Sequence, residues 1–446
     1  MRTSLIPLAI LFASSSALAA PPQNVGYGIV EDLTTEVGQR LAGTEADARA
    51  RDWAVARLKA LGFANVHVEP FDMPVWVRGA ETAEVVGPYP QRLMLAALGN
   101  SGATSEGGFT GEIVGFPSLE ALKAAPAEQV RGKIVFVWHR MGVTQDGSSY
   151  GAYGPIRFSG PGVAAQKGAA AILIRSLGTD HHRLPHTGVT NWPEGTRPIP
   201  AAALSVPDAE QLERLLASGK PVSVHLTLTP RMTGVHQSGN VVAEVPGSDW
   251  AAGVVLIGGH LDSWDLGTGA IDDGAGVAIT TAAAKRILDG PRPKRTIRLV
   301  WFGAEEPGGF GGEAYAKAHG AEQHAMAAES DFGSGRVWQF RISLADPKSP
   351  LVAEITRAFA PLGVAPAAGE VDGGTDVGPM VLLGVPAMDL VQDGTHYFDI
   401  HHTADDTLDK IDPIQLEQNV DVWAAMLRVV ANSPDPLARV PQKRGR

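Results

Sequence analysis

The stretch 254–277, VVLIGGHLDSWDLGTGAIDDGAGV, sets the tightest limit on what this chain can fold into. Its apolar start, VVLIGG, reads as a buried strand with a glycine-weakened end. His260 and Asp262 follow at once, and strand alternation points both to one side while Leu261 faces the other. A glycine-rich loop then carries Asp272 and Asp273 to the start of a small-residue helical run, GAGVAITTAAAKRIL. One imidazole and three carboxylates at a strand end, a loop and a helix start suit a hard-to-borderline metal ion. Such aspartates also cap helices, and that is the expectation for Asp273.

At 446 residues the chain exceeds one ordinary core, so two domains, or one large domain with an insertion, are expected. The 37 Lys plus Arg against 48 Asp plus Glu leave a formal charge of -11, and no basic cluster interleaves with aromatics. A nucleic-acid partner is therefore not expected. There is no cysteine, which leaves His, Asp, Glu and water for any metal site. Met1-Arg2, the apolar run 5–18 and Ala17-Leu18-Ala19 read as a signal peptide over 1–19. The mature chain is thus expected to be exported, periplasmic or secreted, with no lipid anchor. No later run reaches the roughly 18 to 20 apolar residues of a membrane helix, so no stable membrane insertion is expected.

Residues 25–61 read as helical, with Thr44 as a start signal and Gly62 as a stop, and ANVHVEPFDM alternates as a strand. These belong to the first part, 20–100, of a main α/β domain. From 101 to 239 the pattern turns to short strands: GFTGEIVGF, VRGKIVFVW, KGAAAILIRS and RPIPAAALS. This reads as an inserted β-rich unit with one or two crossover helices, in which SSYGAYGPIRFSG is expected to be a mobile loop. Its His181, His182 and His186 read as a solvated loop rather than a second metal site. α/β alternation resumes over 240–434, and 435–446, PDPLARVPQKRGR in its larger part, reads as a frayed tail.

In that resumed segment TIRLVWFG ends at Glu305-Glu306. Two adjacent carboxylates at a strand end repel unless a cation lies beside them. Open α/β sheets bind ligands just outside the carboxyl ends of their strands. Asp331 follows another apolar run, and His401-His402 opens the last polar cluster. Four separated places therefore offer metal-type ligands in register with the α/β alternation.

The motifs GGHLDSWDLGTGAIDDGAGV, WFGAEEPGGFGG, ESDFG and HHTADDT resemble the M28 family of metallopeptidases, the aminopeptidase and glutamate-carboxypeptidase group. The segment GFTGEIVGF to KGAAAILIRS is similar to the protease-associated domain that several members carry. The resemblance implies an α/β fold, a mixed sheet flanked by helices of the zinc-exopeptidase type, with that domain inserted. It implies two zinc ions bridged by Asp272, one held by His260 and Asp331, the other by Glu306 and His402. Glu305 matches the family's general base and Asp262 the carboxylate that orients His260, while His401 is left to face the substrate. Short peptides are the implied substrates, acted on by an aminopeptidase or a dipeptidase, and a homodimer stays open. Two other readings remain: a glutaminyl-cyclase-like acyltransferase with one zinc, and a receptor-like binding domain that has lost catalysis.

Overall fold

A computed structural model describes residues 24–441. The signal-peptide reading of 1–19 lies outside the described residues. Helix Val25–Asp32 and helix Glu45–Ala60 open the chain, the second capped by the Thr44 hydroxyl, which accepts from Asp47 N. The helical reading of 25–61 is thus interrupted at 38–44, where Gly38 and Gly43 take left-handed φ of 74° and 72°.

Two eight-stranded mixed sheets follow. In the first, strands Thr296–Phe302, Val254–His260, His324–Glu329 and Ala387–Gln392 are parallel neighbours in that spatial order. Their carboxyl ends therefore meet at one edge. Val255, Ile257, Leu299 and Trp301 pack into the main core on one face, and Leu256, Val300 and Phe302 into a second cluster on the other. That two-sided burial explains the near-continuous apolar runs. Helix Ala275–Leu288 and helix Pro413–Asn432 cover the main-core face.

The glycines at the strand end have a steric reason. A Cβ at Gly259 would lie 2.3 Å from Asp273 Oδ2, and one at Gly276 would lie 1.8 Å from Ser330 O. Only glycine lets the helix start, the strand end and the 330 turn approach this closely.

The second sheet is built from Glu81 to Leu228, including Glu81–Gly87, Gln91–Leu93 and Leu95–Ala97. Its strands thus begin before residue 101 and end before 239. The reason is the long strand Arg231–Val245, which pairs antiparallel with Ala64–Val77 from Ala64↔Glu244 to Val77↔Arg231. The chain leaves the first sheet and returns to it on two paired strands, so the second sheet starts where that ribbon ends. The four strands read from the sequence in this region, Phe109–Phe116, Ile134–Val137, Ala171–Arg175 and Ala201–Leu204, are all present.

Two local expectations are corrected. SSYGAYGPIRFSG is not a loop but a run of short helices, Ser148–Tyr153 and Pro155–Phe158, leading into Gly160–Gln166. Pro155 and Pro161 sit in the first turns of the latter two, where a missing N–H costs nothing. The tail is docked as far as 441: Leu437 is buried, Arg439 Nη1 donates to Leu383 O at 2.7 Å, and Val440 N donates to Gly384 O at 2.7 Å.

Candidate active site

His260 ends its strand, Glu305 and Glu306 follow Thr296–Phe302, Asp331 follows His324–Glu329, and His401 and His402 follow Ala387–Gln392. Strand parallelism alone brings these four places to one edge. The loop carrying Asp272 closes over them. It is held by Arg40, whose Nη1 donates to Thr268 O at 2.6 Å and Nη2 to Gly269 O at 2.8 Å, while Nε donates to Leu261 O. Asp406 Oδ1 fixes the same loop by accepting Ala270 N at 2.8 Å and Ile271 N at 2.7 Å.

Asp272 lies between two halves of the cluster. Its Oδ1 is 3.1 Å from His260 Nε2, which is 3.4 Å from Asp331 Oδ1. Its Oδ2 is 3.1 Å from His402 Nε2, which is 3.1 Å from Glu306 Oε2. His401 stacks on His402 at 3.6 Å between ring centres, and its Nε2 is 3.5 Å from Asp272 Oδ2. Among the described residues, every group of three His and carboxylate side chains with ligand atoms within 4.8 Å of one another falls in this cluster.

Both key imidazoles have their tautomer set from behind. His260 Nδ1 lies 2.9 Å from Asp262 O, and His402 Nδ1 lies 3.2 Å from Thr187 O, so each Nδ1–H donates to a carbonyl. Each Nε2 faces the carboxylates, 3.1 Å from Asp272 in both cases, and is the ring atom placed to bind a metal ion. Thr187 belongs to the segment that forms the second sheet, and its N also donates to His402 O at 3.0 Å.

Here one expectation changes. The Asp262 carboxylate does not orient His260, since its Oδ1 is 3.8 Å from Nδ1. Its oxygens instead accept the backbone N–H of Glu305 at 3.0 Å and of Glu306 at 3.3 Å. The carboxylate thus takes two amides at a strand-end turn, and the Asp262 carbonyl takes the imidazole. Asp273 does brace the helix start, accepting Gly276 N at 2.9 Å, and its other oxygen accepts His260 N at 3.0 Å.

Crowding of buried carboxylates shows in their protonation. Burial pushes the Glu305 carboxyl well above the usual range, and Asp331 and Glu306 add to it against His260. Glu306 is pushed up to about 6 by burial, with His402 opposing and Asp272 adding. Burial also works on Asp272, but His260 and His402 outweigh it and hold that carboxyl well below its ordinary value. Cations in the cluster would let all these acids ionise together. Asp272 Oδ2 and Glu306 Oε1 are buried without a hydrogen-bond partner, as atoms meant for a metal are. Ala304 and His402 both hold φ of 60°, a left-handed backbone at two places that aim site residues.

The cluster opens into a cavity of about 480 Å³. Glu305, Glu306 and Asp331 line one side, and Tyr150, Arg157 and Phe158 of the short helices another. Arg40, Thr187 and Arg157 were missed from the sequence; none carries a local pattern, because each acts across more than two hundred residues or from a segment read as loop. His181, His182 and His186 lie outside the cluster. His186 is buried against Asp180, Nε2 to Oδ1 2.8 Å, while His181 and His182 are exposed, so only part of that segment is solvated.

Comparison with known proteins agrees with this geometry. The model of peptidase family M28 matches residues 240–427. Carboxypeptidase Q of Bos taurus is 35% identical over 94% of this chain and 87% of its own length. The chain belongs to peptidase family M28. The crystal structure of a peptidase M28 precursor from Shewanella amazonensis SB2B superposes with a TM-score of 0.92 at 50% identity, covering 94% of this chain and 96% of that one. A zinc aminopeptidase of Bacillus subtilis, 20% identical, shares the fold at a TM-score of 0.67 over 94% and 98% of the two chains. As an M28 peptidase, the chain has its matched segment on the four parallel strands that carry the cluster. Among the described residues no helix is long and apolar enough to cross a membrane.

Proposed function

We propose that this M28 peptidase is an exported di-zinc exopeptidase that hydrolyses short peptides. The observation that carries the reading is the position of Asp272, with one oxygen 3.1 Å from His260 and the other 3.1 Å from His402. A carboxylate so placed is suited to bridge two ions. His260 and Asp331 would hold one, Glu306 and His402 the other. The donor set is nitrogen and carboxylate oxygen without thiolate, which fits zinc.

Zinc held by these residues would supply a Lewis acid for the peptide carbonyl and would lower the pKa of a bound water. The remaining work falls to the chain's own groups. Glu305 follows the left-handed Ala304, lines the cavity beside Glu306 and is free of any ligand role, so its carboxylate can take the proton from water. The same carboxyl then passes that proton to the leaving amine. Asp262 holds the amides of both glutamates, which fixes the base relative to the ligand beside it. His260, Asp272, Glu306 and His402 are buried, while Glu305 and Asp331 are half-buried where the cluster meets the cavity.

The test is a panel of dipeptides with and without chelator, beside zinc analysis of the purified chain. Two zincs per chain and chelator-sensitive hydrolysis are expected. One zinc with cyclisation of amino-terminal glutamine, or no zinc and no turnover, overturns the reading. Export is tested by finding the mature chain outside the cytoplasm, beginning after Ala19.

A further inference from the structure

The carboxyl edge of the second sheet has a cavity of its own. Strands Phe109–Phe116, Ile134–Val137 and Ala171–Arg175 run parallel, side by side, and His139 and Arg175 lie at their carboxyl ends. A cavity of about 410 Å³ opens at this edge, with Pro117, Trp138, His139, Tyr153 and Ile156 in its wall. It backs onto the active cavity without sharing a lining residue: Tyr153 and Ile156 face this one, Tyr150, Arg157 and Phe158 the other. Open α/β sheets bind ligands just outside the carboxyl ends of parallel strands.

The polar groups at this edge are unpaired. His139 is 4% exposed, and neither ring nitrogen has a hydrogen-bond partner. Burial, with the Arg175 guanidinium adding, pushes this imidazole down to about 4, so the ring is neutral and keeps one N–H. Arg175 is 6% exposed, and its Nε and Nη1 have no partner. Its Nη2 donates to Glu210 Oε1 at 3.0 Å, an oxygen that also accepts Arg140 Nη1 at 3.1 Å. An imidazole N–H and two guanidinium nitrogens are therefore buried without an acceptor among the described residues, which is costly until one arrives. A carboxylate answers a guanidinium edge and an imidazole N–H at once. The rest of the wall is apolar and flat. A Cβ at Gly115 would lie 2.4 Å from the Trp138 ring, so glycine seats that ring. Tyr153 stacks on His139 with 5.4 Å between ring centres and is 38% exposed, so a flat group entering the mouth can take its place.

We infer that this cavity binds a small organic carboxylate with a flat apolar body, its oxygens on His139 and Arg175 and its body against Trp138. The inference is independent of the exopeptidase reading, since no residue of the metal-type cluster takes part. The volume is in the range of small-ligand sites. Two sources share this chemistry. Glu120, also in the wall, would meet the ammonium of a free amino acid, whereas a simple carboxylic acid leaves it to solvent.

The experiment is calorimetric titration of the zinc-loaded full chain with 3-phenylpropionate, 3-phenylpropionamide and L-phenylalanine. The wild type should bind the acid about 10- to 100-fold more tightly than the amide, as expected for a charge-assisted contact. His139→Phe and Arg175→Met should each weaken the acid by about 10-fold or more. L-phenylalanine binding more tightly than 3-phenylpropionate assigns the site to free amino acids, and the reverse order assigns it to simple carboxylates. Equal affinity for acid and amide in the wild type overturns the inference without any variant. So does acid binding of the same strength in wild type and both variants. A co-crystal with 3-phenylpropionate checks the place directly: density against Trp138 is expected, and density at the zinc cluster alone overturns the inference.

Discussion

The two sheets are equal in strand number and differ in what their edges carry. Four adjacent parallel strands of the first deliver His260, Glu305, Glu306, Asp331, His401 and His402 to one place. The second also has a parallel core, Phe109–Phe116, Ile134–Val137, Ala171–Arg175 and Ala201–Leu204, yet it supplies none of the cluster's carboxylates. What its segment supplies lies beside the chemistry: Thr187 behind His402, and Arg157, Tyr150 and Phe158 on the cavity wall. Strand-end ligands gain rigidity from a ladder of hydrogen bonds. A wall built on short helices and turns can set what fits without disturbing those ligands.

Substitutions can break this division. Asp272→Ala should do most, since it removes the group between both halves. We expect zinc content to fall and turnover to drop below detection, read by metal analysis beside dipeptide hydrolysis. Glu305→Gln should lower kcat by about 10²- to 10⁴-fold with zinc content unchanged. Half the activity remaining would remove Glu305 from its role. Asp262→Asn keeps the shape but weakens acceptance of the two glutamate amides, and a 10- to 100-fold fall (roughly) in activity or zinc affinity is expected.

The smallest effect belongs to the second sheet. Burial, aided by Arg175, pushes the His139 imidazole down to about 4 from an ordinary 6.5. Neither of its ring nitrogens has a hydrogen-bond partner. Between pH 6.5 and 4 the unfolded chain binds the proton that the folded chain refuses, so stability falls as pH drops through that window. Denaturant midpoints at pH 7 and pH 5 should differ less in His139→Phe than in the wild type. An equal loss in both would mean that His139 does not set the acid limit of this region.

Much of the first sheet was legible because fully buried parallel strands must be written as apolar runs, and polar residues directly after such a run are conspicuous. VVLIGGH, TIRLVWFG and the run before Asp331 are of this kind. Four of the second sheet's eight strands were equally visible, but its starting point was not. Residues 81–97 carry ordinary strand patterns, and only their pairing shows which sheet they join. The short helices at 148–166 were hidden by glycine and proline, whose helix-start positions cannot be told from turns without tertiary context.

The opening stretch, 254–277, by itself determined a strand, a loop and a helix start with His260, Asp262, Asp272 and Asp273 in close order. Side-chain period and glycine placement are local properties, so sequence carries them. Only the tertiary structure decided how those four divide their work. Asp272 stands between His260 and His402, Asp273 braces strand and helix, and Asp262 serves the Glu305 and Glu306 amides while its carbonyl takes His260. The same holds for Arg157 and Thr187, which meet His402 across 245 and 215 residues of chain. A hydrogen bond is fixed by ångström-scale approach of groups far apart in sequence, and no spacing along the chain encodes that distance.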